Sequence, residues 1–201
     1  EPVRLWQLDG GRHPALASMV ETRHNLPRQL SEFVGRGAEV EELRSLVDEH
    51  RLVTVTGVGG CGKTRLALEV AASLTQRFPG GLWFVDLTPE RDEGRIGLAA
   101  IEALSLPGIG DHDDVISAIG EAVGDSPTLL VFDNCEHLID GVAEFVEDLL
   151  ARLPDVHAMA TSRESLSVLG ERSWRIPNLG AASVELFLDR GAAAGAIGLE
   201  D

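Results

Sequence analysis

The sequence predicts an α/β fold in which a parallel sheet is wrapped by helices. Three observations predict it. Short apolar runs alternate with stretches of helical periodicity from residue 38 onward, a β-branched run at 52–56 feeds a glycine-rich loop that opens a helix, and a later apolar run at 128–132 ends on an acid. Alternation of this kind builds parallel strands joined by right-handed crossovers. With 201 residues, 44% of them hydrophobic, the chain can fill one core of ordinary size.

The elements follow in order. Residues 1–8 alternate like a strand, with Val3, Leu5 and Gln7 on one face. Residues 9–32 contain Gly10, Gly11, Pro14 and Pro27 with little periodicity and read as a linker, so the compact part begins near Phe33. Val40, Leu43, Leu46 and Val47 share one side of a helix over 38–49, with acids on the other. Leu52-Val-Thr-Val-Thr56 reads as a buried strand, and Leu66, Ala67, Val70, Ala71 and Leu74 recur on a helix ending near Phe78-Pro79-Gly80-Gly81. Then come a strand at 82–87, helices near 95–104 and 113–123, a strand at 128–132 and a helix over 138–152. A strand at 156–160, a turn of helix at 163–168 and a strand at 172–176 complete the series. The chain divides into an N-terminal strand and linker (1–28), the α/β domain (29–180) and the start of a helical region (181–201).

Seventeen Lys and Arg stand against 33 Asp and Glu, a net charge of −16. That argues against direct nucleic-acid contact by this region, since phosphate contacts need clustered cations. No run of about 18 apolar residues and no basic-then-apolar leader occurs, so no membrane contact is expected. Cys61 and Cys135 match no disulfide framework or zinc pattern, which fits a reducing, cytoplasmic setting. Two buried thiols without contact is the preferred reading of the pair, over a redox switch. The chain starts at Glu1 and not at Met, as a piece of a longer protein would.

Lys occurs once, at Lys63; every other basic residue is Arg. It lies in Gly57-Val58-Gly59-Gly60-Cys61-Gly62-Lys63-Thr64, which fits the phosphate-loop pattern GxxxxGK[ST] between a strand and a helix. The chemistry follows from the residue types. Gly57, Gly59, Gly60 and Gly62 let backbone N–H groups, with those of Cys61 and Arg65 beside them, close around an anion, and the helix N-terminus adds its positive dipole end. Lys63 would reach the β- and γ-phosphates, and Thr64 would put its hydroxyl on Mg²⁺. The bland alternative is a glycine-rich βα turn with one incidental Lys.

In such sheets ligands sit beyond the carboxyl ends of the strands. Asp133 ends the 128–132 run there, as a second Mg²⁺ partner or as a helix cap, roles that can coexist. Arg163 follows the 156–160 strand, placed either to sense a γ-phosphate or to pair on the surface with Glu164 or Glu171. His137 reads as a polar helix-start residue, and the remaining histidines have no metal-cage spacing.

Together these residues resemble the NTPase domain of STAND-class signalling ATPases, in the form found in large actinobacterial LuxR-type transcriptional regulators, and are similar to NB-ARC domains. The matching segments are Phe33-Val34-Gly35-Arg36, the loop at 57–64, Leu129 through His137 (LLVFDNCEH), Ala160-Thr161-Ser162-Arg163-Glu164, and Trp174-Arg175-Ile176-Pro177-Asn178-Leu179. The resemblance implies a P-loop NTPase three-layer sandwich with strand order 5-1-4-3-2, and ATP or ADP with Mg²⁺ as cofactors. It also implies that Val34, Gly35 and Arg36 lie on the adenine and ribose side, and that Lys63, Asp133 and Arg163 are the catalytic set, with Arg163 sensing the γ-phosphate. Residues 1–8 and the linker resemble the last strand and exit of a class III nucleotide cyclase domain. Two positions depart from the pattern: Gly37 stands where relatives carry Glu, and Asn134 where an acid often follows the Asp. Slow hydrolysis follows from the second.

The function expected is an adenine-nucleotide switch of slow Mg²⁺-dependent ATPase activity. Its partners would be flanking regulatory domains and, with nucleotide, further copies of itself. A kinase handing the γ-phosphate to a small acceptor is the alternative, but Arg172, Arg175 and Arg190 are too scattered for its lid. GTP is disfavoured because its NKxD motif needs a second Lys, and a transporter subunit because no LSGGQ-like helix start is present. The intact loop and Asp133 argue against a decayed site.

Overall fold

The computed structural model describes residues 23–29, 33, 35–106 and 114–177. The expected strand at 1–8, Val34, the end of the 174–179 segment and the 181–201 region lie outside the described residues.

Five strands, β1 (Leu52–Thr56), β2 (Gly81–Asp86), β3 (Thr128–Asp133), β4 (Val156–Ser162) and β5 (Glu171–Arg175), form one sheet in the order β2-β3-β4-β1-β5. Every pairing between them is parallel. This is the expected 5-1-4-3-2 order read from the other edge. β4 lies between β1 and β3, so the strands ending in the glycine loop, in Arg163 and in Asp133 are neighbours.

Strand alternation sends side chains to two cores. On one face Val53, Val55, Leu129, Val131 and Met159 pack with helices α1 (Gly37–Glu49) and α2 (Lys63–Ser73). On the other, Leu52, Leu130, Phe132, Ala158 and Ala160 pack with α3 (Ile96–Ala103), α4 (Val115–Val123) and α5 (Ile139–Arg152). β1 and β3 are buried at every position, as strands covered by helices on both faces must be. Cys61 packs with the first core and Cys135 with the second, so the sheet separates the two thiols.

Three local differences from the sequence expectation have physical causes. Residues 163–168 form no helix. Their amides are taken by an acceptor from outside the segment, because Glu171 accepts from Leu166 N–H (2.9 Å) and Ser167 N–H (2.8 Å) through its two carboxylate oxygens. Residues 23–25, read as linker, dock on the edge of β2. Leu82 N–H donates to Arg23 O (3.0 Å), and the Asn25 side chain accepts from Phe84 N–H (2.6 Å) while donating to Phe84 O (2.8 Å). They shield an edge strand that would otherwise expose unpaired backbone groups. Helix α3 is preceded by a 3₁₀ turn at Glu93–Arg95, capped by the Asp92 side chain on Gly94 N–H.

Candidate functional site at the carboxyl end of the sheet

The loop from Gly57 to Thr64 leaves β1 and turns into α2. Two of its glycines are required by geometry. A Cβ on Gly57 would stand 2.5 Å from Ile176 Cγ2 and 3.0 Å from Cys61 Sγ, so a side chain there would push the loop away from the residue that follows β5. Gly62 has φ 92°, a left-handed conformation that side chains disfavour, and it caps α2. No side chain caps that end of α2. Its first-turn amides, which lack intrahelical partners by geometry, are therefore left to whatever the loop encloses. Lys63 is 8% exposed, and its Nζ donates to Gly57 O (2.9 Å) and Val58 O (3.2 Å), which holds the ammonium over the loop.

Asp133, at the end of β3, is 7% exposed. Burial pushes its carboxyl above the usual carboxylate range, opposed by hydrogen bonds from Thr161 and Thr64, with Asp86 and Glu136 nearby adding to the rise. The structure thus brings Thr64 and Asp133, separated by some seventy positions in sequence, into contact. Thr161 is the residue that sequence reasoning missed. It is 1% exposed, its hydroxyl donates to Asp133 Oδ1 (2.6 Å), and the same oxygen accepts from Asn134 N–H (3.0 Å). It lay within the quoted ATSRE segment, but nothing in its spacing signals that a strand-end hydroxyl would face a neighbouring strand's acid.

Arg163 follows β4 and points toward the loop: its Nη2 is 3.9 Å from the position of a Cβ on Gly59. Its ion-pair partner is neither Glu164 nor Glu171. Arg163 Nε donates to Glu136 Oε1 (3.1 Å), while Glu171 is occupied by the amides before β5. Glu136 belongs to a 3₁₀ turn, Cys135–His137, preceded by Asn134 in the left-handed region (φ 64°). His137 pins that turn to the neighbouring loop. Asn134 Nδ2–H donates to His137 Nδ1 (3.2 Å), which leaves Nε2–H to donate to Glu90 O (3.0 Å). Burial pushes the Cys135 thiol up, away from reactivity.

Gly35 and Arg36 both take left-handed conformations (φ 73° and 62°) ahead of α1. The Arg36 side chain is 9% exposed, its Nη1 would be 3.8 Å from a Cβ on Gly62, and Nη2 donates to Pro177 O (3.4 Å). It therefore bridges the base of the loop and the chain after β5. Arg65, in the first turn of α2, stacks over the Phe33 ring at 5.8 Å. The sequence-predicted residues that are described all converge on one end of the sheet: Gly35, Arg36, the 57–65 loop, Asp133 and Arg163. Uncapped amides, an ammonium and a Thr–Asp pair beside them suit a polyanion carrying a divalent cation.

The AAA ATPase domain family matches residues 32–168. This chain belongs to that family. The chain is 37% identical over 187 residues to the uncharacterized protein Rv0894 of Mycobacterium tuberculosis, covering 90% of this chain and 47% of the relative. It is 40% identical over 150 residues to Rv0890c of the same organism, covering 74% of this chain and 17% of a protein provisionally named an HTH-type transcriptional regulator. The chain thus spans about half the length of the first relative and a smaller part of the second. Among solved structures, the Aeropyrum pernix ORC2 protein superposes with a TM-score of 0.58 at 14% identity, covering 87% of this chain and 55% of that one. A Walker-type ATPase of Pyrococcus abyssi gives 0.54 at 16% identity, covering 90% and 63%. These two likenesses show the shared fold. Among the described residues, no helix is long and apolar enough to cross a membrane.

Proposed function

We propose that this AAA ATPase domain is a Mg²⁺-dependent ATP-binding switch of slow turnover, working within a longer transcriptional regulator of the STAND, LuxR-type kind. The observation that carries the reading is the hydrogen bond of Thr64 to the buried Asp133, with Thr64 next in sequence to the buried Lys63 at the uncapped start of α2. The loop amides of Gly57, Gly59, Gly60, Cys61, Gly62 and Arg65 hold the phosphates, and Lys63 neutralises them. Thr64 and Asp133 hold Mg²⁺, which draws charge from the phosphates when bound and makes the burial of a charged Asp133 favourable. Arg163 senses the γ-phosphate, and Val34, Gly35 and Arg36 line the adenine and ribose side.

Slow turnover rests on position 134. An acid following the strand-end Asp could orient a water, but Asn134 spends its amide on Thr161 and its side chain on His137. A slowly hydrolysed nucleotide suits a device that holds one state and then resets. The resemblance of Rv0890c, by its name a regulator, supports a setting beside a DNA-binding module outside this chain. The Aeropyrum pernix ORC2 protein was solved in ADPNP and ADP complexes, which supports adenine nucleotides as the class of ligand. The domain at 29–180, with residues 23–25 docked along β2 ahead of it, acts in the cytoplasm through flanking regulatory domains and nucleotide-dependent self-association.

Calorimetric titration with ATP, ADP and GTP, with and without Mg²⁺, tests this together with phosphate release. The expected result is adenine-selective, Mg²⁺-dependent ATP binding with turnover far below one per second. Tighter binding of GTP, or rapid turnover, would contradict the reading.

A further inference from the structure

Arg163 and Glu136 are unequal partners. Glu136 is fixed: its side chain is 15% exposed, and its 3₁₀ turn is anchored by buried Cys135 and by the His137 bond to Glu90. Arg163 is the free arm, 68% exposed at the end of β4 and already within reach of Gly59. Their bond uses one donor and one acceptor. Only Nε bonds Glu136, and Glu136 Oε2 is buried with no hydrogen-bond partner among the described residues. A single-bond pair whose arginine is largely exposed is weak, and a buried carboxylate oxygen without a donor is costly.

The geometry points to Glu136 as a specificity-determining residue that lowers the preference for ATP relative to ADP, because it competes with the γ-phosphate for Arg163. The inference rests on the reading of the loop as an ATP site. The side chain that would reach a γ-phosphate beside Gly59 is the one that neutralises Glu136, so a triphosphate has to draw Arg163 away. Phosphate can win, because its several oxygens match the planar guanidinium fork and use the donors that Glu136 leaves idle. The exchange has a cost: Glu136 is left as a largely buried carboxylate without its cation, close enough to Asp133 to raise that group as well. A diphosphate makes no such demand, so the pair subtracts from ATP affinity and leaves ADP affinity alone. Glu136 thereby biases the domain toward its ADP-bound form.

The test is a double-mutant cycle on E136Q, R163A and the double variant, with ADPNP and ADP affinities measured by calorimetry in Mg²⁺. Neutral Gln needs no countercharge, so E136Q is expected to tighten ADPNP about fivefold with ADP unchanged, the scale of one exposed ion pair. R163A is expected to weaken ADPNP toward ADP, and adding E136Q to it should then change nothing. An unaltered ADPNP-to-ADP ratio in E136Q would overturn the inference. So would equal tightening by E136Q with and without Arg163, which would mean plain charge repulsion of the phosphate. Wild-type protein that binds neither nucleotide would instead overturn the ATP reading itself and the inference with it, whereas normal binding with an unchanged ratio removes the inference alone.

Discussion

The two ends of the sheet treat their charged groups in opposite ways. At the amino end, Arg51 closes the structure: its Nη2 donates to Leu153 O (2.6 Å) and Val156 O (3.0 Å), and its Nε to Val156 O (3.1 Å). His157, on β4, stacks edge-on against Phe78 at 5.1 Å, and Arg77, in the turn after α2, pairs with Asp48 of α1 (3.4 Å). At the carboxyl end, by contrast, α2 begins without a side-chain cap, Asp133 is buried against its tendency to be charged, and one Glu136 oxygen is buried without a partner. At the amino end the Arg51 guanidinium is met by protein carbonyls, although the neutral His157 Nδ1 is buried without a hydrogen-bond partner among the described residues. The carboxyl end leaves the first-turn amides of α2 to a ligand and keeps acids out of water, and that asymmetry in charged groups marks the site.

The comparison can be broken from either end. Short of removing Lys63, the largest expected effect comes from Asp133→Asn. It should abolish the Mg²⁺ dependence of ATP binding, a loss of tenfold or more in affinity with Mg²⁺ present, measured by titration. The same variant should melt a few degrees higher than wild type without ligand, because burial favours the neutral form of this group and Asn is permanently neutral. A lower melting temperature would show that the charge of Asp133 supports the fold after all. Arg51→Ala is expected to destabilise the chain by about 2 kcal/mol in denaturant unfolding, since two carbonyls lose charged donors, while ATP affinity stays at the wild-type value.

The smallest effect is in pH. His157 is held below its ordinary value of 6.5, chiefly by burial and then by the nearby Arg77 and Arg51 cations. A histidine lowered in the fold takes up protons more readily when unfolded, so stability falls as pH drops below about 6.5 and is unaffected above it. His157→Phe should flatten that part of the pH–stability curve, read as melting temperature between pH 7 and pH 5.

Much of this architecture was legible in the sequence because it is written in local pattern. The β-branched run before Gly57, the single Lys and the apolar strand ending at Asp133 each carry their own signal, and the strand order followed from the resemblance. What was not legible depends on which side chains meet across strands. Thr161 is an ordinary strand threonine until β4 lies next to β3, where its hydroxyl faces Asp133. Glu136 pairs with Arg163, where the sequence offered Glu164 or Glu171. The preference is one of geometry: Glu171 serves the amides of Leu166 and Ser167, and that use also replaces the helical turn expected at 163–168. The cysteines follow strands β1 and β3, yet β4 separates those strands and the two thiols belong to opposite cores.

The central claim is that the carboxyl end binds ATP through the one lysine of the chain. Titration of Lys63→Ala with ATP and Mg²⁺, beside wild type and with circular dichroism to verify the fold, tests it most directly. The expected result is a folded variant whose ATP binding is lost, since the ammonium is buried over the loop and no other lysine can replace it. ATP affinity equal to wild type in the folded variant would contradict the account.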